Sequence, residues 1–316
     1  MPRLMKTAAA QLGPIARDES RRQVVDRMID LLRQARERGV KLVVFPEIAL
    51  TTFFPRWYIE DQKEIDSFFE TEMPGPETRR LFETASDYGI GFYLGYGEKI
   101  EEKGGTHRYN TSILVGPDAK IIGKYRKVHL PGHSEHLPKA PFQHLEKRYF
   151  DVGNQGFHVW RAMDSVWGMC ICNDRRWPET FRVMGMQGVE LVMLGYNTPV
   201  WNGFNPVKET PQLRMFHNHL SMQAGAYQNG TYVIGTAKAG LEEGVEMQGG
   251  SCVVAPTGEI VALAETLYDE LVTAELDFDE CQFNKTTVFN FAKHRRIEHY
   301  GLITERTEAV PPPPEA

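Results

Sequence analysis

Three reactive side chains in this sequence stand just beyond short apolar runs: Glu47 in Val-Val-Phe-Pro-Glu, Lys127 in Gly-Lys-Tyr-Arg-Lys-Val-His-Leu-Pro-Gly, and Cys172 in Gly-Met-Cys-Ile-Cys-Asn-Asp-Arg-Arg-Trp-Pro-Glu. A thiol attacking an amide-like carbonyl needs a base for its proton and a cation for the developing oxyanion. A carboxylate, an ammonium and a thiol supply those parts without a histidine. Taken singly, Glu47 reads as a loop charge and Lys127 as part of a solvated basic face. Cys172 reads differently, because an apolar strand ends there in a polar turn and Pro178 suits the first turn of a helix. A cysteine at such a junction is expected to face the positive end of a helix dipole, which favours thiolate and lowers a pKa from about 8.5. Cys170, Cys252 and Cys281 read as small buried hydrophobes.

The elements that must position these groups follow from periodicity. Leu4 to Gln11 reads as a strand, and Val25, Met28, Ile29, Leu32 and Ala35 recur at helical spacing until Gly39. Lys41 to Phe45 is a short strand ending at Pro46 and Glu47, and a helix follows from about Pro76 with Gly89 as its cap. Gly91 to Tyr96 is a strand, Asn110 to Val115 and Lys120 to Lys124 a hairpin, and Val166 to Ile171 another strand. A helix from Trp177 to Met186 precedes the strand Glu190 to Leu194. The best helical stripe is Leu213, Phe216, Leu220, Ala224 and Tyr227, followed by the strand Tyr232 to Ala237 and a hairpin at Ser251 to Ala264. Strands alternating with helices, with hairpins between, predict an α/β fold with mixed sheets covered by helices. Residues 1–309 read as one domain, and Val310 to Ala316, rich in proline, as a tail.

Composition narrows the partners. Lys plus Arg number 36 against 42 Asp plus Glu, a net charge of −6, which argues against nucleic acid. No apolar run is long enough for a membrane helix and the first residues lack a signal-peptide core, so the cytoplasm is the expected address. Four cysteines are too few for a disulfide framework. A zinc site or dithiol couple at Cys170 and Cys172 lacks partners at ligand spacing, so no metal is expected. The glycines at 89, 91, 95 and 97 do not form a nucleotide-binding pattern, and no cofactor is implied.

Phe-Pro-Glu, Lys-Tyr-Arg-Lys-Val-His-Leu-Pro and Cys-Asn-Asp-Arg-Arg-Trp-Pro-Glu resemble the signature blocks of the nitrilase superfamily. More narrowly, the chain resembles N-carbamoyl-D-amino-acid amidohydrolases from about Lys6 to Leu302, including Leu50 to Trp57, Gln143 to Phe150, Tyr196 to Pro199 and Ser221 to Gly230. The resemblance implies a four-layer α-β-β-α sandwich, a cofactor-free hydrolase, a Glu47, Lys127, Cys172 triad, and Glu146 as a second active-site carboxylate. Without it, Glu146 reads as a helix-surface glutamate paired with Lys147 or Arg148.

An N-carbamoyl amino acid presents a planar ureido group and a carboxylate. Arg175 and Arg176 can supply a guanidinium fork for the latter, with Arg176 alone as the narrower reading. The resemblance assigns Asn173, Asn197 and Thr198 to hydrogen bonding with substrate, and His129, His144 and His217 match family histidines, for which a supporting structural role is expected. His133 to Ala140 and Val200 to Thr210 fit the family less clearly and are candidates for lining the side-chain pocket. The expected reaction is hydrolysis of N-carbamoyl-D-amino acids to amino acid, ammonia and carbon dioxide through a thioester on Cys172. The alternatives are β-ureidopropionase-like or aliphatic amidase chemistry, and a catalytically silent binding module. A homodimer or homotetramer is expected by resemblance, with Asn284 to Tyr300 a candidate contact.

Overall fold

The computed structural model describes residues 2–140, 142–201 and 209–313. One sheet contains β1 (Leu4–Gln11), β2 (Leu42–Val44), β3 (Gly91–Glu102), β4 (Gly105–Val115), β5 (Ile121–Arg126) and β14 (Glu270–Asp277), in the order β14-β1-β2-β3-β4-β5. The other contains β6 (Val159–Ala162), β7 (Ser165–Ile171), β8 (Leu191–Tyr196), β9 (Tyr232–Ala237), β12 (Cys252–Val254) and β13 (Ile260–Leu263), in the order β13-β12-β9-β8-β7-β6. A separate hairpin pairs β10 (Ala239–Glu242) with β11 (Val245–Gln248). The helices are α1 (Arg21–Glu37), α2 (Gln62–Asp66), α3 (Arg79–Tyr88), α4 (Glu146–Tyr149), α5 (Pro178–Met186), α6 (Pro211–Asn229), α7 (Glu280–Thr286), α8 (Phe291–His294) and α9 (Gly301–Glu305). Among the described residues, no helix is long and apolar enough to cross a membrane.

Strand alternation builds the layers. Ala8, Ala10 and Val43 pack against α1 and α3 through Val25, Met28, Leu32, Leu81 and Phe82, while Ala9, Leu42 and Val44 point the other way, into the core shared with the second sheet. Helices α5 and α6 cover that second sheet through Phe181, Met184, Met222 and Ala226. The result is the expected α-β-β-α sandwich. Tyr93 ties the sheets together: its hydroxyl donates to the Cys170 carbonyl at 3.1 Å and accepts from the Gly195 amide at 3.1 Å.

Some local expectations differ. Helix α3 starts at Arg79, not Pro76, because Thr78 Oγ1 accepts from the Gly75 amide at 2.9 Å and holds a turn there. Strand β3 continues to Glu102 as a polar ribbon paired with β4, beyond the apolar segment that marked it in sequence. Strand β14, too charged to stand out, pairs antiparallel with β1.

The largest departure is α6. Its apolar stripe faces outward, leaving Phe216 57 % and Leu220 46 % exposed, while Arg214, Asn218, Met222, Gly225 and Ala226 face inward. The inner face must be small where it crosses Phe181, since a Cβ on Gly225 would lie 2.7 Å from that ring, and polar where it approaches Arg175. Residues 310–313 of the proline-rich tail are exposed, and the rest of it lies outside the described residues.

Candidate active site

Glu47, Lys127 and Cys172 lie beyond the C-terminal ends of β2, β5 and β7, and the sandwich brings those ends together. Parallel pairing of β7, β8 and β9 puts Asn197 and Thr198 on the same rim. Glu47 is buried and seated by glycines from both sheets. A Cβ on Gly95 would come within 2.7 Å of the Pro46 carbonyl, and one on Gly195 within 2.2 Å of the Glu47 amide. The next residue, Ile48, has a φ of 45°, and Cys172 has a φ of 48°. Left-handed backbone is costly for residues with a Cβ, most of all a β-branched one, and here it flanks or carries two of the three groups.

Lys127 Nζ donates to Glu47 Oε1 at 2.7 Å and to Glu146 Oε2 at 2.6 Å, with all three side chains fully buried. Two of its three N–H donors are thereby used, leaving one for a ligand oxygen. Burial alone would strip the proton from Lys127, but Cys172 once ionised, with the carboxylates of Glu146 and Glu47, outweighs it and holds the pKa above the usual lysine range. Burial pushes Glu146 up, and Lys127 with His144 overrides it, holding that carboxyl low. Glu146 is therefore an interior group at the start of α4, paired with Lys127 and with His144 Nε2 at 2.9 Å rather than with Lys147 or Arg148.

Glu47 Oε1 also accepts from Asn110 Nδ2 at 2.8 Å, and Oε2 from the Asn197 amide at 2.9 Å and Asn197 Nδ2 at 3.2 Å. The Cys172 thiol points to the Asn197 carbonyl at 3.9 Å. Its pKa runs opposite to the dipole expectation: burial first, then Glu47, push it up to about 11, against the opposing pull of Lys127 and Arg175. The reason is local. A short 3₁₀ turn, Cys172–Arg176, intervenes, and the helix with a dipole, α5, begins only at Pro178. A thiol raised in this way needs a base beside it to become a nucleophile near neutral pH.

The two arginines separate. Arg175 is 2 % exposed, with every guanidinium nitrogen engaged: Nε donates to Asn218 Oδ1 at 3.0 Å, Nη2 to the same oxygen at 2.6 Å and to Thr198 Oγ1 at 3.1 Å, and Nη1 to the Cys172 carbonyl at 2.5 Å. Arg176 instead lines a cavity of about 170 Å³ together with Cys172, Asn173, His144, Asn197, Thr198 and Arg214. Arg176 makes no ion pair among the described residues.

Asn173 Nδ2 donates to the His129 carbonyl at 3.1 Å. His129 lies off the cavity, its Nδ1 at 2.8 Å from Asp174 Oδ1 and its ring stacked on Trp177. His217 is farther out, 3.0 Å from Glu209. Of the two loops expected to line the cavity, none of residues 133–140 and none of the described residues of 200–210 does so, and residues 202–208 lie outside the described residues; Gly132, Phe142 and Pro199, just outside those loops, line its wall instead.

Sequence reading missed Asn110, Asp174, Gly95, Gly195 and Arg214. Asp174 joins the segments that carry Lys127 and Cys172, accepting from Tyr125 Oη at 2.7 Å and from the Ile171 and His129 amides at 3.0 and 2.9 Å. Its position two residues after Cys172, in a polar turn, was the available signal. Asn110 sits mid-strand on β4 and gave none.

The carbon-nitrogen hydrolase family matches residues 6–285. The chain belongs to that family. It is 26 % identical over 298 residues to a nitrilase of Pyrococcus abyssi, covering 94 % of this chain and 99 % of that one. It is 26 % identical to the N-carbamoylputrescine amidase of Arabidopsis thaliana, covering 86 % of this chain and 87 % of that one. The crystal structure of a carbon-nitrogen hydrolase from Helicobacter pylori shares the fold, with a TM-score of 0.81 and 23 % identity over 96 % of this chain and 99 % of that one. The chain is accordingly a hydrolase of carbon-nitrogen bonds.

Proposed function

We propose that this hydrolase cleaves the ureido C–N bond of N-carbamoyl α-amino acids, D-configured as the resemblance implies, with Glu47, Lys127, Cys172 and Glu146 as its working groups. The observation that carries the reading is Arg176, a guanidinium without an ion pair among the described residues, on the wall of the same small cavity as the thiol. An unpaired guanidinium there favours a ligand ending in carboxylate and repels one ending in ammonium. Asn197 Oδ1, buried and without a hydrogen-bond partner among the described residues, supplies an acceptor for a ureido N–H. Asn173 and Thr198 also line the cavity, with Thr198 fixed by Arg175.

In this mechanism Glu47 takes the Cys172 proton as sulfur bonds to the ureido carbon, and the remaining Lys127 N–H stabilises the oxyanion. Collapse breaks a C–N bond, and the departing nitrogen receives the proton from Glu47. Water, deprotonated by Glu47, then cleaves the thioester, and the carbamic acid fragment loses carbon dioxide. One water is consumed, and amino acid, ammonia and carbon dioxide are released. Glu146 and His144 keep Lys127 charged and in place.

The test is a substrate panel of N-carbamoyl-D- and L-amino acids, N-carbamoylputrescine, 3-ureidopropionate and simple aliphatic amides. The expected result is a higher kcat/KM for N-carbamoyl-D-amino acids than for any other class. A preference for the cationic ureide, for 3-ureidopropionate or for plain amides overturns the reading. Unchanged ammonia release by a Cys172→Ala variant removes the thiol from the mechanism.

A further inference from the structure

We infer that Arg214, with Arg176, forms the clamp for the substrate carboxylate, and that Arg175 does not contribute to it directly. The inference rests on the ureido-acid reading above and names the residues that enforce it. Arg176 and Arg214 both line the cavity, the first from the turn after Cys172 and the second from the opening turn of α6. Arg175 lies behind that wall, its donors committed to Asn218, Thr198 and the Cys172 carbonyl, and its ring contact is with Tyr196. A guanidinium already satisfied by neutral partners and sealed from the cavity has no fork to offer an incoming anion.

Arg214 is held differently. Its Nε donates to the Pro199 carbonyl at 2.9 Å and its Nη1 to Glu209 Oε2 at 2.7 Å, while its Nη2 has no hydrogen-bond partner among the described residues. Its orientation is fixed before a ligand arrives, so little side-chain entropy remains to be lost on binding. Glu209 Oε1 is 3.0 Å from His217 Nδ1, so the carboxylate that orients Arg214 is itself shared with a second group. Burial first, then the like charges of Arg175 and Arg214, disfavour the Arg176 cation against the opposing pull of Cys172 and Glu209, a cost that a bound carboxylate relieves. Arg214 acts here as a specificity residue, not in bond breaking.

The test uses Cys172→Ala protein, which binds without turnover, and two probes, N-carbamoyl-D-alanine and its neutral carboxamide, measured by calorimetry. Adding Arg214→Gln is expected to weaken the carboxylate probe about 10- to 100-fold, the range of a lost charge-assisted hydrogen bond, and to leave the carboxamide within about twofold. Arg214→Lys recovers part of the loss, and the melting temperatures of the variants separate a lost contact from a lost fold. In protein with Cys172 intact, Arg214→Gln raises KM for the carboxylate substrate while kcat stays within about threefold. Equal weakening of both probes, no weakening, or no measurable binding of N-carbamoyl-D-alanine to the Cys172→Ala protein overturns the inference. Should the intact enzyme fail to hydrolyse N-carbamoyl-D-alanine while Arg214-dependent carboxylate binding persists, the proposed function falls and the clamp stands.

Discussion

Replacing Glu47 with Gln should make Cys172 more reactive toward an alkylating agent while abolishing hydrolysis. The reasoning begins from the thiol, whose pKa burial and Glu47 push up to about 11. At pH 8 about one molecule in a thousand then carries thiolate, against about a quarter for an unperturbed cysteine of pKa about 8.5. Cys172 should therefore react with iodoacetamide some hundredfold more slowly than an ordinary thiol at this pH. The rate should climb about tenfold per pH unit until near 11.

Glu47→Gln removes the anion that raises the thiol and leaves Lys127, which lowers it, facing one carboxylate fewer. A like charge removed at this range lowers a pKa by about one unit or more, so alkylation at pH 8 should quicken about tenfold. Hydrolysis should fall at least about hundredfold, because no base remains to take the thiol proton. Mass spectrometry of the Cys172 peptide over a pH series reads the first effect and ammonia release the second. A wild-type alkylation profile levelling off near pH 8.5, or a Glu47→Gln variant alkylated no faster than wild type, would refute the thiol-plus-base account.

Gly195→Ala should cost at least about hundredfold in hydrolysis, since its Cβ would sit 2.2 Å from the Glu47 amide and the carboxylate must move; activity near the wild-type level would show that Glu47 needs no such seat. Glu242 is fully buried between Lys238 and Arg56, so Glu242→Gln leaves two buried cations undercompensated and should lower the unfolding free energy by about 3–5 kcal/mol. Urea denaturation showing a loss below about 1 kcal/mol would contradict this. A homodimer or homotetramer is expected by resemblance, with residues 284–300 as its candidate contact, and the exposed α6 stripe is a second candidate: Phe216→Glu should reduce the sedimenting mass if α6 carries the contact, whereas an unchanged mass leaves residues 284–300.

Hydrophobic period made much of the sandwich legible, because its strands are short, apolar and bounded by Pro or Gly: Leu4–Gln11 and Tyr232–Ala237 have the limits expected from sequence. Charged strands escaped, since β14 and the end of β3 owe their existence to pairing partners rather than to their own pattern. The hairpin β10–β11 also escaped, although Glu243 and Gly244, with φ of 49° and 78°, supply the left-handed pair that such a turn uses. Helix α6 misled for a physical reason. Its apolar stripe has the right spacing, but the inward face is selected by Phe181, which tolerates only small neighbours, and by Arg175, which needs Asn218.

The site shows the same division. Glu47, Lys127 and Cys172 could be proposed from chemistry alone, whereas Glu146 could be told from a surface glutamate only through family resemblance. What sequence could not give is the division of labour between charges. Arg175 and Arg176 are neighbours in the chain, yet a single 3₁₀ turn sends one into the protein and the other to the cavity wall. The thiol pKa likewise depends on where α5 starts and how deeply Cys172 is buried. Carboxylates and an ammonium therefore gather at the thiol, while guanidinia stand on the cavity wall. On the proposed function, that arrangement would orient a ureido acid in one direction: a reversed ligand would present its carboxylate to Glu47 and Glu146 and leave Arg176 unanswered. Binding energy from the carboxylate end is thus coupled to placement of the ureido carbon before the thiol, which is why loss of the carboxylate contact should appear in kcat/KM for charged substrates and not for their neutral amides.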